Sequence, residues 1–313
     1  LFGWVLLLRT RPGAVVAHLG RRGDRLAGRP ARPARPARPA RPDPRRVRVA
    51  AVQMRLRIIS DPREYADEVA RLLEEAVGRG AELLAFPEDV ATHLVGLIPG
   101  IQRLAAAGSV DGALSSMGTG LKVADIFRFL GPAMRRVYHA TFSHLARAYG
   151  VWIAAGSAVL PAPDGHVYNV AHLYGPDGRL MGTQRKLHLL PMEAEWGLCP
   201  GTDPEVFETP WGGLAVPVCM DATYFETFRI FSAMGADIVV IPAANPEEYN
   251  PWKALRGIWP RVQESAVAEL DMEALREFRR ERGPANHFNL GLYRRYLPPL
   301  YDKYLDRYGK TTT

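Results

Sequence analysis

Cysteine is scarce in this chain: of 313 residues, only Cys199 and Cys219 carry a thiol. Two cysteines exclude a disulfide framework and a four-cysteine zinc site, and make a reducing cytoplasm the expected compartment. Long apolar runs are also lacking. The longest near the start, Val5 to Leu8, is far too short to cross a bilayer. Leu1-Phe2-Gly3-Trp4 has no charged leader and no cleavage site, so no signal peptide is expected, and the missing opening Met suggests a fragment or an unusual start.

A basic surplus is missing everywhere except at the beginning. Residues 1–47 hold 12 Arg against 2 Asp, whereas the other 266 residues carry 28 basic and 31 acidic side chains, a net −3. The formal charge of +7 therefore belongs to the leader. Its Ala-Arg-Pro repeats, running to Pro42, place proline at every third residue, which excludes helix and sheet. Residues 1–47 are accordingly expected to be extended and disordered. The repeat has no aromatic side chains to stack on bases, so a solvated leader is favoured over a nucleic-acid arm.

Beyond the leader the chain is rich in core-forming residues. Val47 to Met54 reads as a buried strand. Asp61, Pro62 and Glu64 give a helix start, with Asp as N-cap and Glu closing a capping box. Tyr65, Val69, Leu72, Leu73, Ala76 and Val77 form its apolar face, and Gly78 and Gly80 end it. Leu83 to Phe86 is the next strand and finishes on Glu88. Strand, helix and strand at this spacing predict a right-handed βαβ unit, with Glu88 at the strand end where open α/β sheets gather active-site groups. Residues 89–135 show no steady period and predict a lid or a substrate-shaping insertion. A helix returns from Arg135 to Tyr149, then a strand from Val151 to Ser157. Tyr168–Tyr174 and Leu180–Arg185 form a hairpin about Gly175–Arg179, and that hairpin delivers Lys186. Taken singly, Glu88 and Lys186 read as surface charges, His188 as a satisfied loop histidine, and Cys199 as structural.

The second cysteine stands in a more suggestive place. Leu214 to Val218 is a short buried strand opened by Gly212-Gly213. Thr223 and Glu226 predict a capping box and a helix from about Tyr224, with Tyr224, Phe228 and Phe231 on one buried face. Gly235 stops that helix, and Ala236 to Pro242 is a further buried strand. Cys219 thus falls at a strand-to-helix turn beside the positive end of a helix, which favours a thiolate. Cysteines at the end of apolar strands are nonetheless more often core than catalyst.

Together, Leu84-Ala85-Phe86-Pro87-Glu88, Arg185-Lys186-Leu187-His188-Leu189, and Cys219-Met220-Asp221 with Glu226, Arg229 and Gly235-Ala236-Asp237 after it resemble the nitrilase, or carbon–nitrogen hydrolase, superfamily. The opening strand Val49 to Met54 fits as well, and the resemblance covers roughly residues 48–266. It implies an α/β fold, a four-layer α-β-β-α sandwich, and a Glu–Lys–Cys triad that needs no cofactor and no metal. Cys219 would be the nucleophile, Glu88 the base, and Lys186 the cation that stabilises thiolate and oxyanion. The Met220 backbone N–H would be a second oxyanion donor. Glu193 matches an additional acidic residue that holds Lys186, although Glu195 is close by. The implied reaction is hydrolysis of a small linear amide, carbamoyl compound or nitrile through a thioester. The implied partners are that small molecule and further copies of the chain, with no membrane and no nucleic acid. Phe225 replaces a proline common in the family.

The chain departs from this pattern after residue 250. Pro251 to Val267 resembles the family's next helix, and Ala268 to Arg276 resembles its closing stretch, so the strands expected between them are missing. An internal deletion near 266–269 is therefore expected, leaving a domain at 48–282 that is incomplete near its C-terminal end. Residues 283–313 form an extension bearing Tyr293, Tyr296, Tyr301, Tyr304 and Tyr308, suited to an arm across a partner subunit or to a frayed tail. Two rivals stand beside the hydrolase: an inactive or unstable paralogue, and a scaffold that uses the basic leader.

Overall fold

Apolar residues in Val47–Val52 and Leu83–Ala85 place strands β1 (Arg46–Val52) and β2 (Leu83–Ala85) side by side in parallel, Val49 opposite Leu83. Helix α2 (Pro62–Gly78) makes the crossover between them. Asp61 caps it by accepting a bond from the Arg63 N–H at 2.9 Å. Glu64 does not close the expected box; its carboxylate takes a bond from Arg57 at 2.6 Å instead. The computed structural model describes residues 6, 8–27, 42–55, 57–98, 101, 122–244, 265–282 and 290–308.

Helix α3 (Val123–Tyr149) is longer than its C-terminal half alone predicts. Pro132 and Gly131 interrupt the sequence period, but Pro132 lies on the exposed side and Gly131 packs against Pro161. The helix ends at Gly150, whose φ of 59° is the left-handed C-cap. Strands β3 (Trp152–Pro161), β4 (Val167–Tyr174) and β5 (Leu180–Arg185) come next, β3 parallel to β2 and the last two antiparallel, as the hairpin predicts. Strand β9 (Ser265–Asp271) completes a six-stranded sheet in the order β5-β4-β3-β2-β1-β9.

That last strand corrects the sequence reading. Ser265 to Val267 fall in the expected helix and Ala268 to Asp271 in the expected closing stretch, so no strand is expected there. At a sheet edge such a run still pairs, and Glu269 is held by Arg46 and Arg48 of β1 at 3.2 and 3.4 Å.

The second sheet is smaller: β6 (Val206–Thr209), β7 (Gly212–Ala215) and β8 (Ala236–Val239), with β6 antiparallel and β8 parallel to β7. It packs on the first sheet through an edge-on contact of Trp152 with Trp211, centroids 6.3 Å apart, and through Phe207 against Gly182. Helix α5 (Phe225–Ala233) covers its other side, burying Phe231 against Ala215 and Ala236. The layers run helix, sheet, sheet, helix. Between α2, α3 and the first sheet lies the main core, where Phe142 meets Phe86 and Tyr138 edge-on.

Two further expectations change. Tyr224 is exposed, Phe228 half-buried, and Thr227 shares the buried face with Phe231, because the helix begins at Phe225, after a 3-10 turn at Cys219–Thr223. In the leader, residues Pro12–Ala27 form helix α1 rather than an extended chain. Its only proline is at the first helical position, where a missing N–H costs nothing. Val15 and Leu19, one turn apart, are buried, and His18 and Arg22 reach Asp67 at 2.9 and 3.1 Å. The Ala-Arg-Pro repeat up to residue 41, residues 102–121 of the expected lid, and residues 251–264 of the expected helix lie outside the described residues; residues 123–135 of that lid are instead the start of α3, and residues 265–267 of that helix belong to β9.

Residues 271–313 form a separate unit. Helix α6 (Met272–Arg282) starts on Asp271, whose carboxylate accepts from the Glu273 and Ala274 N–H groups, and α7 (Leu290–Tyr308) carries Tyr296 and Tyr301 exposed. Among the described residues no helix is long and apolar enough to cross a membrane.

Candidate active site

Three chain segments converge where β2, β5 and β7 end. Beyond β2 the backbone continues against β3, Phe86 N–H bonding Ala154 at 2.9 Å and Ser157 N–H bonding Pro87 at 3.3 Å. Gly156 is required at this crossing: its φ is 65°, and a Cβ there would overlap the Pro87 carbonyl oxygen. The chain then turns and buries Glu88. After β5, the Lys186 backbone is clamped at both ends, its N–H to Asn169 at 2.8 Å and its carbonyl to Gly201 at 2.7 Å. Its ammonium is only 1 % exposed and meets Glu88 Oε1 at 2.9 Å and Glu193 Oε1 at 2.8 Å.

Glu193 is fixed in turn by the short helix α4 (Pro191–Glu195), its Oε2 accepting the Leu190 N–H at 2.7 Å. Glu195 is exposed, so Glu193 is the acid that meets the lysine. Two carboxylates about one buried ammonium compensate for desolvation that neither pair would offset alone. Burial by itself lowers the Lys186 pKa, but Glu88 and Glu193 outweigh it and hold the amine charged.

Cys219 stands at the turn after β7 with φ 47°, a left-handed conformation that a cysteine adopts only where its surroundings impose it. Its N–H is tied to Pro242 at 2.8 Å. The Glu88 carboxylate and the Ala244 N–H both act on the thiol, the first against the thiolate and the second in its favour. Burial, and then the negative charge of Glu88, push it up to about 12, against the smaller opposing pull of Lys186. The expected thiolate is therefore not the resting state. A 3-10 turn of five residues offers less positive end than a full helix, and burial, with the adjacent carboxylate second, outweighs it.

Sequence reasoning missed three supporting groups. Asn169, buried in β4, donates to Glu88 Oε1 at 2.9 Å. The Ala244 N–H donates to Glu88 Oε2 at 3.0 Å. Asp221, wholly buried, accepts from the Leu187, His188 and Val218 N–H groups at 3.0, 2.7 and 2.8 Å and from His188 Nδ1 at 3.1 Å. It stitches the lysine loop to the cysteine turn. A polar residue inside an apolar strand was the only available signal for Asn169, and no side-chain pattern reports a backbone amide. Cys199 is remote in role, with its sulfur 3.4 Å from His166 Nδ1. Among the described residues no cluster of three or more His, Cys, Asp or Glu is arranged to hold a metal ion.

The model of the carbon–nitrogen hydrolase family matches residues 48–266. The chain belongs to that family. Among curated relatives it is 28 % identical over 197 residues to a probable hydrolase, YhcX, of Bacillus subtilis, covering 63 % of this chain and 34 % of that protein. It is 27 % identical over 223 residues to the omega-amidase NIT2 of Danio rerio, covering 67 % of this chain and 68 % of that one. The chain thus spans about a third of the first relative and about two thirds of the second. Among solved structures, a carbon–nitrogen hydrolase from Helicobacter pylori G27 superposes with a TM-score of 0.60 at 18 % identity, over 81 % of this chain and 98 % of that one. The NitFhit protein of C. elegans gives 0.59 at 19 %, over 79 % and 66 %. At such identity these structures speak for the fold, the α-β-β-α sandwich of the family.

Proposed function

We propose that this chain is a cysteine-dependent hydrolase of non-peptide carbon–nitrogen bonds in a small linear amide, carbamoyl compound or nitrile. The observation that carries the reading is the buried Glu88–Lys186–Glu193 cluster, whose Glu88 carboxylate also acts on the Cys219 thiol.

Burial and the charge of Glu88 push the thiol pKa up to about 12, so the thiol is protonated near neutral pH. Attack therefore has to be coupled to proton transfer. For an amide, Glu88 takes the thiol proton as the sulfur adds to the carbonyl carbon; for a nitrile the sulfur adds to the nitrile carbon, and one further water is consumed before ammonia leaves. The carbonyl oxygen becomes an oxyanion, which the Lys186 ammonium and the Met220 N–H stabilise. One such donor is typically worth about 3–4 kcal/mol of barrier. Protonated Glu88 then gives its proton to the departing nitrogen, ammonia or an amine leaves, and a thioester remains on Cys219. Water, deprotonated by Glu88, attacks the thioester. Collapse releases the carboxylic acid and returns the proton to the sulfur.

Glu193 keeps Lys186 charged and aimed. Asn169 and the Ala244 N–H fix the two oxygens of Glu88, so that the carboxylate faces the thiol in one orientation.

The test is intact mass after mixing the protein with a panel of simple amides and nitriles, together with ammonia release. An acyl adduct on Cys219 and turnover that falls about 10⁴-fold or more in Cys219→Ala are expected. Turnover surviving in that variant would overturn the reading.

A further inference from the structure

Helix α1 docks on α2 and α3 without filling the space between them. A cavity of about 300 Å³ remains there, at the small end of the range for small-molecule sites. No member of the Glu88–Lys186–Glu193 cluster lines it. All three helices supply its apolar walls: Leu19 of α1, Ala70 of α2, and Leu145 and Ala148 of α3. Gly20 of α1 lines it too, and a Cβ at that position would meet nothing within 4 Å.

The polar groups facing this cavity are unevenly engaged. Glu74 is buried, its side chain 6 % exposed, and both of its oxygens accept a bond. One takes the Tyr149 hydroxyl at 2.8 Å and the other Arg22 Nη2 at 3.3 Å. Arg22 Nη1 donates to Asp67 at 3.1 Å. Two carboxylates therefore already neutralise this guanidinium, which calls for no further anion. Its third nitrogen is different. Arg22 Nε is buried and has no acceptor among the described residues. A buried N–H left unmade costs free energy until an acceptor reaches it. His144, half-buried at the same cavity, has its pKa lowered by burial and then by Arg147, so it adds no positive charge at neutral pH.

Apolar walls, a neutralised ion pair and one unused donor define the ligand. We propose that this cavity is a binding site for a small uncharged carbonyl compound, its apolar body against Leu19, Ala70 and Leu145 and its oxygen accepting from Arg22 Nε. An anion would meet the buried Glu74 carboxylate, and a hydrocarbon would leave the donor unmade. Because three helices form the walls, a bound ligand also ties the leader helix to the body.

The experiment measures dissociation constants on the full chain, by ligand-observed NMR, for three single-ring probes. These are acetophenone, its isostere α-methylstyrene (a CH2 group in place of the carbonyl oxygen) and benzoate. Acetophenone should bind about 10-fold tighter than α-methylstyrene, with benzoate weakest. Ala70→Leu, which enlarges a buried wall, should weaken acetophenone by about 10-fold or more. Gly20→Leu serves the same purpose if that variant does not fold. Arg22→Lys keeps the charge but removes the Nε–H, and should bring the ratio of the two neutral probes close to one. Taking the ratio cancels any loosening of α1 in that variant. Equal binding of the neutral probes by the parent protein, preference for benzoate, or no acetophenone binding at millimolar concentration would overturn the site. So would acetophenone affinity unchanged by the filled wall, or a ratio that survives Arg22→Lys.

Discussion

Lys186 takes a full charge into a place where it is 1 % exposed, and the two carboxylates around it are almost as deeply buried. Removing the cation leaves two like charges facing each other without water. Lys186→Met should therefore destabilise the fold by about 3–5 kcal/mol in urea unfolding, and a loss below about 1 kcal/mol would contradict the triad. Cys219 gives a second prediction at this scale. Because burial and Glu88 raise its pKa to about 12, the thiolate fraction keeps climbing with pH beyond the ordinary thiol range. In a Cys199→Ser background, alkylation by iodoacetamide should accelerate about tenfold per pH unit from pH 7 to 10, with no plateau near 8.5. A plateau there would mean an unperturbed thiol.

At the scale of elements, the site is a matter of which chain ends are tied together. The lysine loop and the cysteine turn share no regular hydrogen bonding; Asp221 joins them through three backbone donors and one imidazole. Asp221→Ala leaves those buried donors unpaired, at about 1–3 kcal/mol for each that water cannot reach. Unfolding in urea should show a loss above about 3 kcal/mol, and a near-neutral outcome would mean that the two segments hold themselves. Helix α1 makes a different kind of link. Its Leu19 is buried beside α2 and α3, so Leu19→Ala should cost about 2–4 kcal/mol, read as a lower melting temperature. A solvated leader would show no change.

For the whole molecule, the two sheets meet through large side chains, and Trp211 is the largest fully buried one. Trp211→Ala should cost about 3–5 kcal/mol in chemical denaturation, and a smaller effect would show that the second sheet is only loosely seated on the first. The distribution of charge also takes on meaning at this scale. Arg22 of the basic leader is bound to Asp67 and Glu74 at 3.1 and 3.3 Å, so part of the leader's surplus is spent on holding α1 to the body.

The chain alone determined the elements whose signals are local. The βαβ unit, the hairpin before Lys186, and the strand before Cys219 arise from periodicity and turn residues, which act over a few positions. Glu88, Lys186 and Cys219 stood out as candidates because each closes such an element. Tertiary structure decided what depends on distant partners. It made a strand of Ser265–Asp271 by offering an open edge and two arginines, and a helix of Pro12–Ala27 by offering an apolar surface. It chose Glu193 over Glu195, recruited Asn169 and the Ala244 amide to Glu88, and kept the Cys219 proton on sulfur. Burial and charge at a point are sums over everything nearby in space, and proximity along the chain carries no record of that sum.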